Sequence, residues 1–151
     1  MTSKLFKPLA CVFALSLVGC GGGEVFTAPA SSEFAHGNEL LNATALSEDA
    51  SHALVATQSE VCVWDNQIKA RLYDCITGQG AEHVELVGFS ANKSRFFISN
   101  RLSVTLYDTR TGRSIGTWFT GQEIARDIAI SAVGDTLVIA YRSGKAEVIN
   151  T

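Results

Sequence analysis

Beyond Gly37 the apolar and polar positions follow a pattern that repeats. Ala45-Leu46-Ser47 recurs as Gly88-Phe89-Ser90 and as Ala129-Ile130-Ser131, offsets of 43 and 41 residues. Trp64-Asp65 recurs as Tyr107-Asp108 and as Ile149-Asn150, offsets of 43 and 42, and Thr77-Gly78-Gln79 recurs as Thr120-Gly121-Gln122, again 43 apart. Three landmarks that share one period define a structural repeat. Within each unit an apolar stretch ends in Ser and a turn follows, at 48–50, 91–93 and 132–135. Next comes a nearly continuous apolar run, at 53–56, 96–98 and 137–141. Runs this short, bounded by turn residues and rich in β-branched or aromatic types, predict strands buried on both faces. A third segment alternates, at 61–64, 104–107 and 146–149, and a fourth follows a turn, at 69–76 and 113–119.

After Gly37 no eleven-residue window carries a 3.6-residue period, so the body is expected to be all-β with four strands to a unit. A four-stranded unit recurring every 41 to 43 residues matches a β-propeller blade, which buries its faces only against its neighbours. The units span 37–79, 80–121 and 122–151. The third reaches Thr151 after three strands, with no fourth; segments 24–27 or 32–35 offer a strand to complete it. Rings contain about four to eight blades. A partial β-propeller of about three blades is therefore expected, either as a piece of a longer six- to eight-bladed product or as a homo-oligomer that completes the ring.

The N-terminus has a different pattern. Lys4 and Lys7 precede ten uncharged residues, 9–18, too few for a membrane-spanning helix of about 20 and suited to the apolar core of an export signal. The run closes with Leu17-Val18-Gly19-Cys20, which resembles the lipobox of bacterial lipoproteins. That resemblance implies cleavage of a signal peptide, 1–19, and a thioether-linked diacylglycerol on Cys20 with an acylated amino group. Several acyl chains anchor stably where one chain binds marginally. Gly21 stands where an Asp would retain such proteins in the inner membrane. The resemblance thus implies a location in the cell envelope, lipid-anchored to the outer membrane and facing the periplasm. Residues 20–36, rich in Gly, Ser, Ala and Pro, read as a flexible tether.

Removing the signal takes two of the 12 basic residues and none of the 15 acidic ones, leaving a net side-chain charge of about −5, which argues against nucleic acid as a partner. It also sorts the cysteines. Cys11 leaves with the signal and Cys20 is lipidated, so Cys62 and Cys75 remain in an oxidising compartment. The repeat places them on adjacent antiparallel strands. Pairing Trp64 with Tyr73 would set them opposite each other as a disulfide, whereas a one-residue slip would send them to opposite faces. Two buried free thiols are the alternative. His36, His52 and His83 show no metal-ligand spacing, and no cofactor motif or catalytic constellation emerges. Asp65, Asp74 and Asp108 suit turns, and Trp64, Tyr107 and Trp118 suit the core. Arg95, Arg101, Arg110 and Arg113 cluster in the second unit, as a solvated rim or as a contact for an acidic partner or lipid headgroup.

With apolar strand plus Ser, Asp or Asn in the turn, buried strand, then aromatic-Asp, the units resemble WD repeats over 37–151. The family's Gly-His pair stands here as Gly78-Gln79 and Gly121-Gln122. Its turn aspartate stands as Gln58 and Arg101, so its buried Asp-His-Ser-Trp network is absent. Residues 74–78 and 108–112 share a D-x-x-T-G pattern similar to that of quinone-cofactor propellers. The resemblance implies a non-enzymatic, membrane-tethered interaction module that holds another envelope protein. The alternative is a fragment of a ligand-binding or quinoprotein-like enzymatic propeller. In a Gram-negative host the chain should incorporate labelled palmitate and partition into detergent, and Cys20→Ala should abolish both; a soluble, unlabelled wild type would overturn the anchor.

Overall fold

The computed structural model describes residues 39–78 and 80–151. The signal at 1–19, Cys20, the tether at 20–36 and the candidate strands at 24–27 and 32–35 lie outside the described residues. Within them the chain is all-β, with every hairpin antiparallel and no helix long and apolar enough to cross a membrane.

The strands are β1 (Ala43–Leu46), β2 (His52–Ala56), β3 (Glu60–Asp65), β4 (Ala70–Arg71), β5 (Ile76–Thr77), β6 (Leu86–Phe89), β7 (Arg95–Ser99), β8 (Ser103–Asp108), β9 (Ser114–Phe119), β10 (Ala125–Ile130), β11 (Thr136–Tyr141) and β12 (Ala146–Asn150). They form three sheets, ordered β1-β2-β3-β4 with β5 also on β3, then β6-β7-β8-β9, then β10-β11-β12, and none closes on itself. The sheets approach one another at their first strands, β1 against β6 and β6 against β10.

Strand alternation explains the packing. Successive side chains point to opposite faces, so Phe96 and Ile98 on β7 turn towards the first sheet while Phe97 turns towards the third. Phe96 and Ile98 join Leu54, Ala56, Val61 and Val63 in one core. Phe97 joins Val104, Leu106, Ile128, Leu137 and Ile139 in the other. Phe96 stacks on Tyr107 with ring centroids 5.0 Å apart and planes 8° from parallel. Burial of side chains of this size stabilises by about 1.5–3 kcal/mol each.

Two expectations need correction. The run at 137–141 is not buried on both faces: Leu137 and Ile139 are fully covered, but Val138 between them is 38% exposed. Among the described residues, no further sheet covers that side. The fourth segment of the first unit is not a continuous strand over 69–76 either. It breaks into β4 and β5, because Trp64 pairs with Arg71 while Val61 pairs with Ile76, which inserts two extra residues on the outer side. Leu72 and Tyr73, in the break, turn inward against the first core.

One turn recurs three times, built on the repeated serine. In the first sheet the Ser47 hydroxyl donates to Asp49 Oδ1 (2.8 Å) and accepts from the His52 amide (2.9 Å), and Ala50 takes a φ of 56°. In the second the Ser90 hydroxyl donates to Asn92 Oδ1 (2.9 Å) and accepts from the Arg95 amide (3.0 Å), with Lys93 at φ 52°. In the third the Ser131 hydroxyl donates to Asp135 Oδ1 (2.6 Å) and accepts from the Thr136 amide (3.1 Å), with Gly134 at φ 78°. A further backbone bond repeats beside each turn: Asn66 N–H to Ser51 C=O, Thr109 N–H to Ser94 C=O and Thr151 N–H to Asp135 C=O.

The same turns stitch the sheets together. Lys93 Nζ reaches back to Asp49 Oδ2 (2.6 Å) and Ser51 Oγ (2.8 Å). The Asn92 amide donates forward to the Ala132 carbonyl (2.9 Å), and Arg95 Nη1 to the Gly134 carbonyl (2.8 Å). At Gly134 it is chiefly the lack of space beside Arg95 that disfavours a side chain, since Ala50 and Lys93 take the same left-handed turn position. A Cβ there would meet Arg95 Cδ at 2.7 Å. Ser90 is fully buried, so Ser90→Ala should lower the unfolding free energy by about 1–3 kcal/mol, read from urea denaturation. The partly exposed Ser131 should lose less when replaced in the same way.

Candidate functional site

The aspartates on strand-ending turns are occupied by their own backbone. Asp65 Oδ1 accepts the amides of Gln67 (2.8 Å) and Ile68 (3.2 Å), and Asp108 Oδ1 accepts the amide and hydroxyl of Thr111 (2.8 and 2.7 Å). These bonds favour the ionised form. Asp65 is lowered chiefly by the Gln67 amide, Asp108 by the Thr111 hydroxyl and Asp135 by the Ser131 hydroxyl. Asp49 is held furthest below the ordinary value of 3.8, first by Lys93 and then by Ser51 and Ser47. Asp74 is exposed between β4 and β5. The two D-x-x-T-G copies therefore serve different places. The one at 108–112 closes the β8–β9 hairpin, with Gly112 against the Tyr73 ring; the one at 74–78 carries the chain through β5.

One cluster brings a nucleophile, a base and an acid together. Ser51 Oγ lies 2.6 Å from His52 Nδ1, donates to Asp49 Oδ1 (2.7 Å) and accepts from Lys93. It is a structural knot. Lys93 Nζ is engaged by both the Asp49 carboxylate and Ser51, and Ser51 is only 8% exposed. The same turn recurs in the second sheet with Asn92 and Ser94, where no base is present.

The arginines do not converge. Arg95 is spent on Gly134 and on Thr151 Oγ1 (2.7 Å). Arg101, beyond the opposite end of β7, meets Glu85 (3.2 Å). Arg110 and Arg113 lie exposed at the β8–β9 turn. Tyr107 is buried, Trp118 packs against the second core, and Trp64 lies beneath the Arg71 guanidinium at 5.9 Å. Tyr141 donates to Glu147 (2.7 Å), and burial first, then this bond, push its phenol up to about 12.

Cys62 and Cys75 are joined as a disulfide with Cα atoms 4.4 Å apart, the short spacing of a non-hydrogen-bonded antiparallel pair. The expected pairing of Trp64 with Tyr73 does not occur. The local register of β5, Val61 with Ile76, sets the cysteines opposite each other instead. The Glu60 carboxylate lies within 4.8 Å of both sulfurs, but sulfurs bonded to each other offer no thiolate to a metal.

One concavity among the described residues lies along the outer part of the second sheet, on the side facing the first. It has a volume of about 610 Å³, within the range of ligand and peptide sites. Ser103, Thr105 and Tyr107 on β8 and Thr117 and Phe119 on β9 form one wall, and Gly80, Glu82 and His83 from the β5–β6 connection form part of the rim. Thr105 and Thr117 share a hydroxyl bond (3.1 Å). No sequence motif marks this cleft. Its one local signal was the uncharged stretch Ser114-Ile115-Gly116-Thr117-Trp118-Phe119. Comparison with protein-family models and with curated proteins found no match.

Two outcomes are expected here. Non-reducing mass spectrometry of the full chain produced in an oxidising compartment should find no alkylatable thiol at Cys62 or Cys75, and reduction should cost about 2–4 kcal/mol of stability; two free thiols would rule the bridge out. The depressed aspartates contribute stability that is fully present above the unfolded value of 3.8 and is lost as pH falls through the lower folded values. The urea midpoint should accordingly fall below that pH, and less steeply in Asp49→Asn.

Proposed function

We propose that the chain is a lipid-anchored, non-enzymatic interaction module of the bacterial cell envelope, a partial WD-repeat-like β-propeller of three blades with the last incomplete. One observation carries this reading. Ala45, Leu54 and Val63 form a row across the first sheet, paired strand to strand, and Gly88, Phe97 and Leu106 form its repeat across the second. Leu54 and Val63 are fully buried against the second sheet, and Phe97 and Leu106 against the third. The corresponding row of the third sheet, Ala129, Val138 and Val148, is paired in the same way but lies open, with Val148 68% exposed. An apolar face in a position that the repeat elsewhere covers is a surface for association.

The polar side chains favour binding over chemistry. The turn carboxylates are committed to their own loops, and the Ser-His-Asp-Lys cluster is committed to joining two sheets. The Cys20 anchor would hold the module at the membrane, and the open face would be covered by a further blade of a longer product, by another envelope protein, or by a second copy completing the ring. A ligand-binding propeller is the second reading, supported by the 610 Å³ cleft; a chromophore or metal retained through purification would favour it.

A photo-crosslinking residue at Val148, in the lipidated full chain in its native envelope, tests the proposal. It should capture a protein, either a partner or a second copy, and Val138→Lys should reduce capture at least about tenfold, the effect of roughly 1.4 kcal/mol. Position 138 is partly exposed, so the fold should tolerate the change. Failure of the Val148 probe to capture any protein would overturn the interaction reading.

A further inference from the structure

We propose that the outer edge of β9 is a second docking site, at which an extended segment of a partner protein adds a strand to the middle sheet and places alternate side chains in the adjoining cleft. The proposal rests on the interaction-module reading but concerns a different surface. It starts from how the outer edges differ. A sheet edge presents unpaired N–H and C=O groups, and proteins ordinarily blunt it with charge, proline or a break. The first sheet's outer strand is broken into two-residue pieces, flanked by Lys69 and tied by the disulfide. The third sheet's edge, β12, carries Glu147 with Lys145 beside it, 2.7 Å apart. β9 has six residues, no charge and no proline. Its single irregularity is the shift between Leu106 and Tyr107, which leaves Gly116 to Phe119 in regular register.

The ladder shows which groups face outward, unpaired among the described residues. The Thr120 amide bonds the Leu102 carbonyl. In the antiparallel alternation Trp118 and Gly116 therefore turn their polar groups towards β8, and Thr117 and Phe119 turn theirs outward. The side chains of those same two residues line the cleft. Backbone pairing and side-chain recognition thus fall on one pair of positions, the arrangement by which peptides add to sheet edges.

The cleft also defines the segment it fits. Phe119 is 83% exposed and Leu102 67% exposed, so they offer apolar area, while Thr105 and Thr117 offer hydroxyls. β-branched or threonine side chains match such a surface in cross-strand pairs. Arg101 is paired with Glu85, whereas Glu82 on the rim is exposed with no ion pair among the described residues. The occupant is therefore an extended, β-branched segment carrying one lysine or arginine.

The test uses the full lipidated chain with the photo-crosslinker at Phe119, compared with the Val148 probe. The Phe119 probe should capture an extended segment of another protein, mapped by mass spectrometry, with β-branched residues and a basic residue in it. Thr117→Pro removes an outward N–H and leaves the β8–β9 backbone ladder whole, while also losing the Thr105–Thr117 hydroxyl bond, so it should reduce capture at least about tenfold in a protein that is still folded, with a modestly lowered melt. Should Thr117→Pro disturb folding, Glu82→Lys, on the exposed rim, should give the loss instead. An eight-residue peptide of alternating valine and threonine with one lysine should shift the Thr117 and Phe119 amide signals in detergent micelles, and its N-methylated analogue should not. Capture from Val148 alone would overturn this inference and leave the module reading standing. Crosslinks from Phe119 only to a second copy would also overturn it, making β9 a self-pairing edge.

Discussion

Three consecutive apolar residues, Phe96, Phe97 and Ile98, are all buried on one strand, which strand alternation permits only if both faces of the sheet are covered. The other parts of the fold follow from that requirement. The middle sheet needs the first on one side and the third on the other, and each of those gains its own cover by supplying it. The third sheet then has one satisfied face, towards the middle, whereas on the first sheet Leu54, Val55 and Ala56 are all buried, so both of its faces are covered. On the third sheet this shows as alternation, with Leu137 and Ile139 enclosed and Val138 open to solvent.

Burial alone is non-directional and would not hold the sheets in register. The serine turns supply the direction. Each closes its own hairpin through Ser47, Ser90 or Ser131, and the middle turn reaches both neighbours, back through Lys93 to Asp49 and forward through Asn92 and Arg95 to the third sheet. This accounts for most of the chemistry-bearing residues near those turns. A serine, a histidine, a carboxylate and a lysine meet at Ser51 because two sheets have to be joined there, and the repeat of the motif around Asn92 shows that the joint does not depend on a titrating group.

The surfaces left over are an apolar face on the third sheet and an uncharged edge beside a cleft on the second. They differ in kind. The face is a repeat position without its usual cover and invites burial by shape. The edge offers directed backbone hydrogen bonds and sequence-dependent pockets. On the proposed reading the two surfaces would divide affinity from selectivity in binding a partner.

The repeat, the all-β class, the strand positions and the turn role of Ser47, Ser90, Asp65 and Asp108 were legible along the chain, because strand burial has a two-residue period and turn chemistry is local. The expected leader and the lipid attachment expected at Cys20 rest on the sequence pattern and lie outside the described residues. Tertiary structure decided what depends on residues far apart in the chain. The two-residue shift between Trp64 and Ile76 follows from Leu72 and Tyr73 turning into the core, and no local pattern encodes it. The apparent cluster of arginines dissolved because Arg95 and Arg101 lie towards opposite ends of one strand and bond different partners. The cleft at Thr117 and Phe119 exists because a connection from one sheet passes beside the outer strands of the next. Which faces stay bare was settled the same way, since exposure is a property of what packs alongside and a chain read residue by residue does not contain its neighbours.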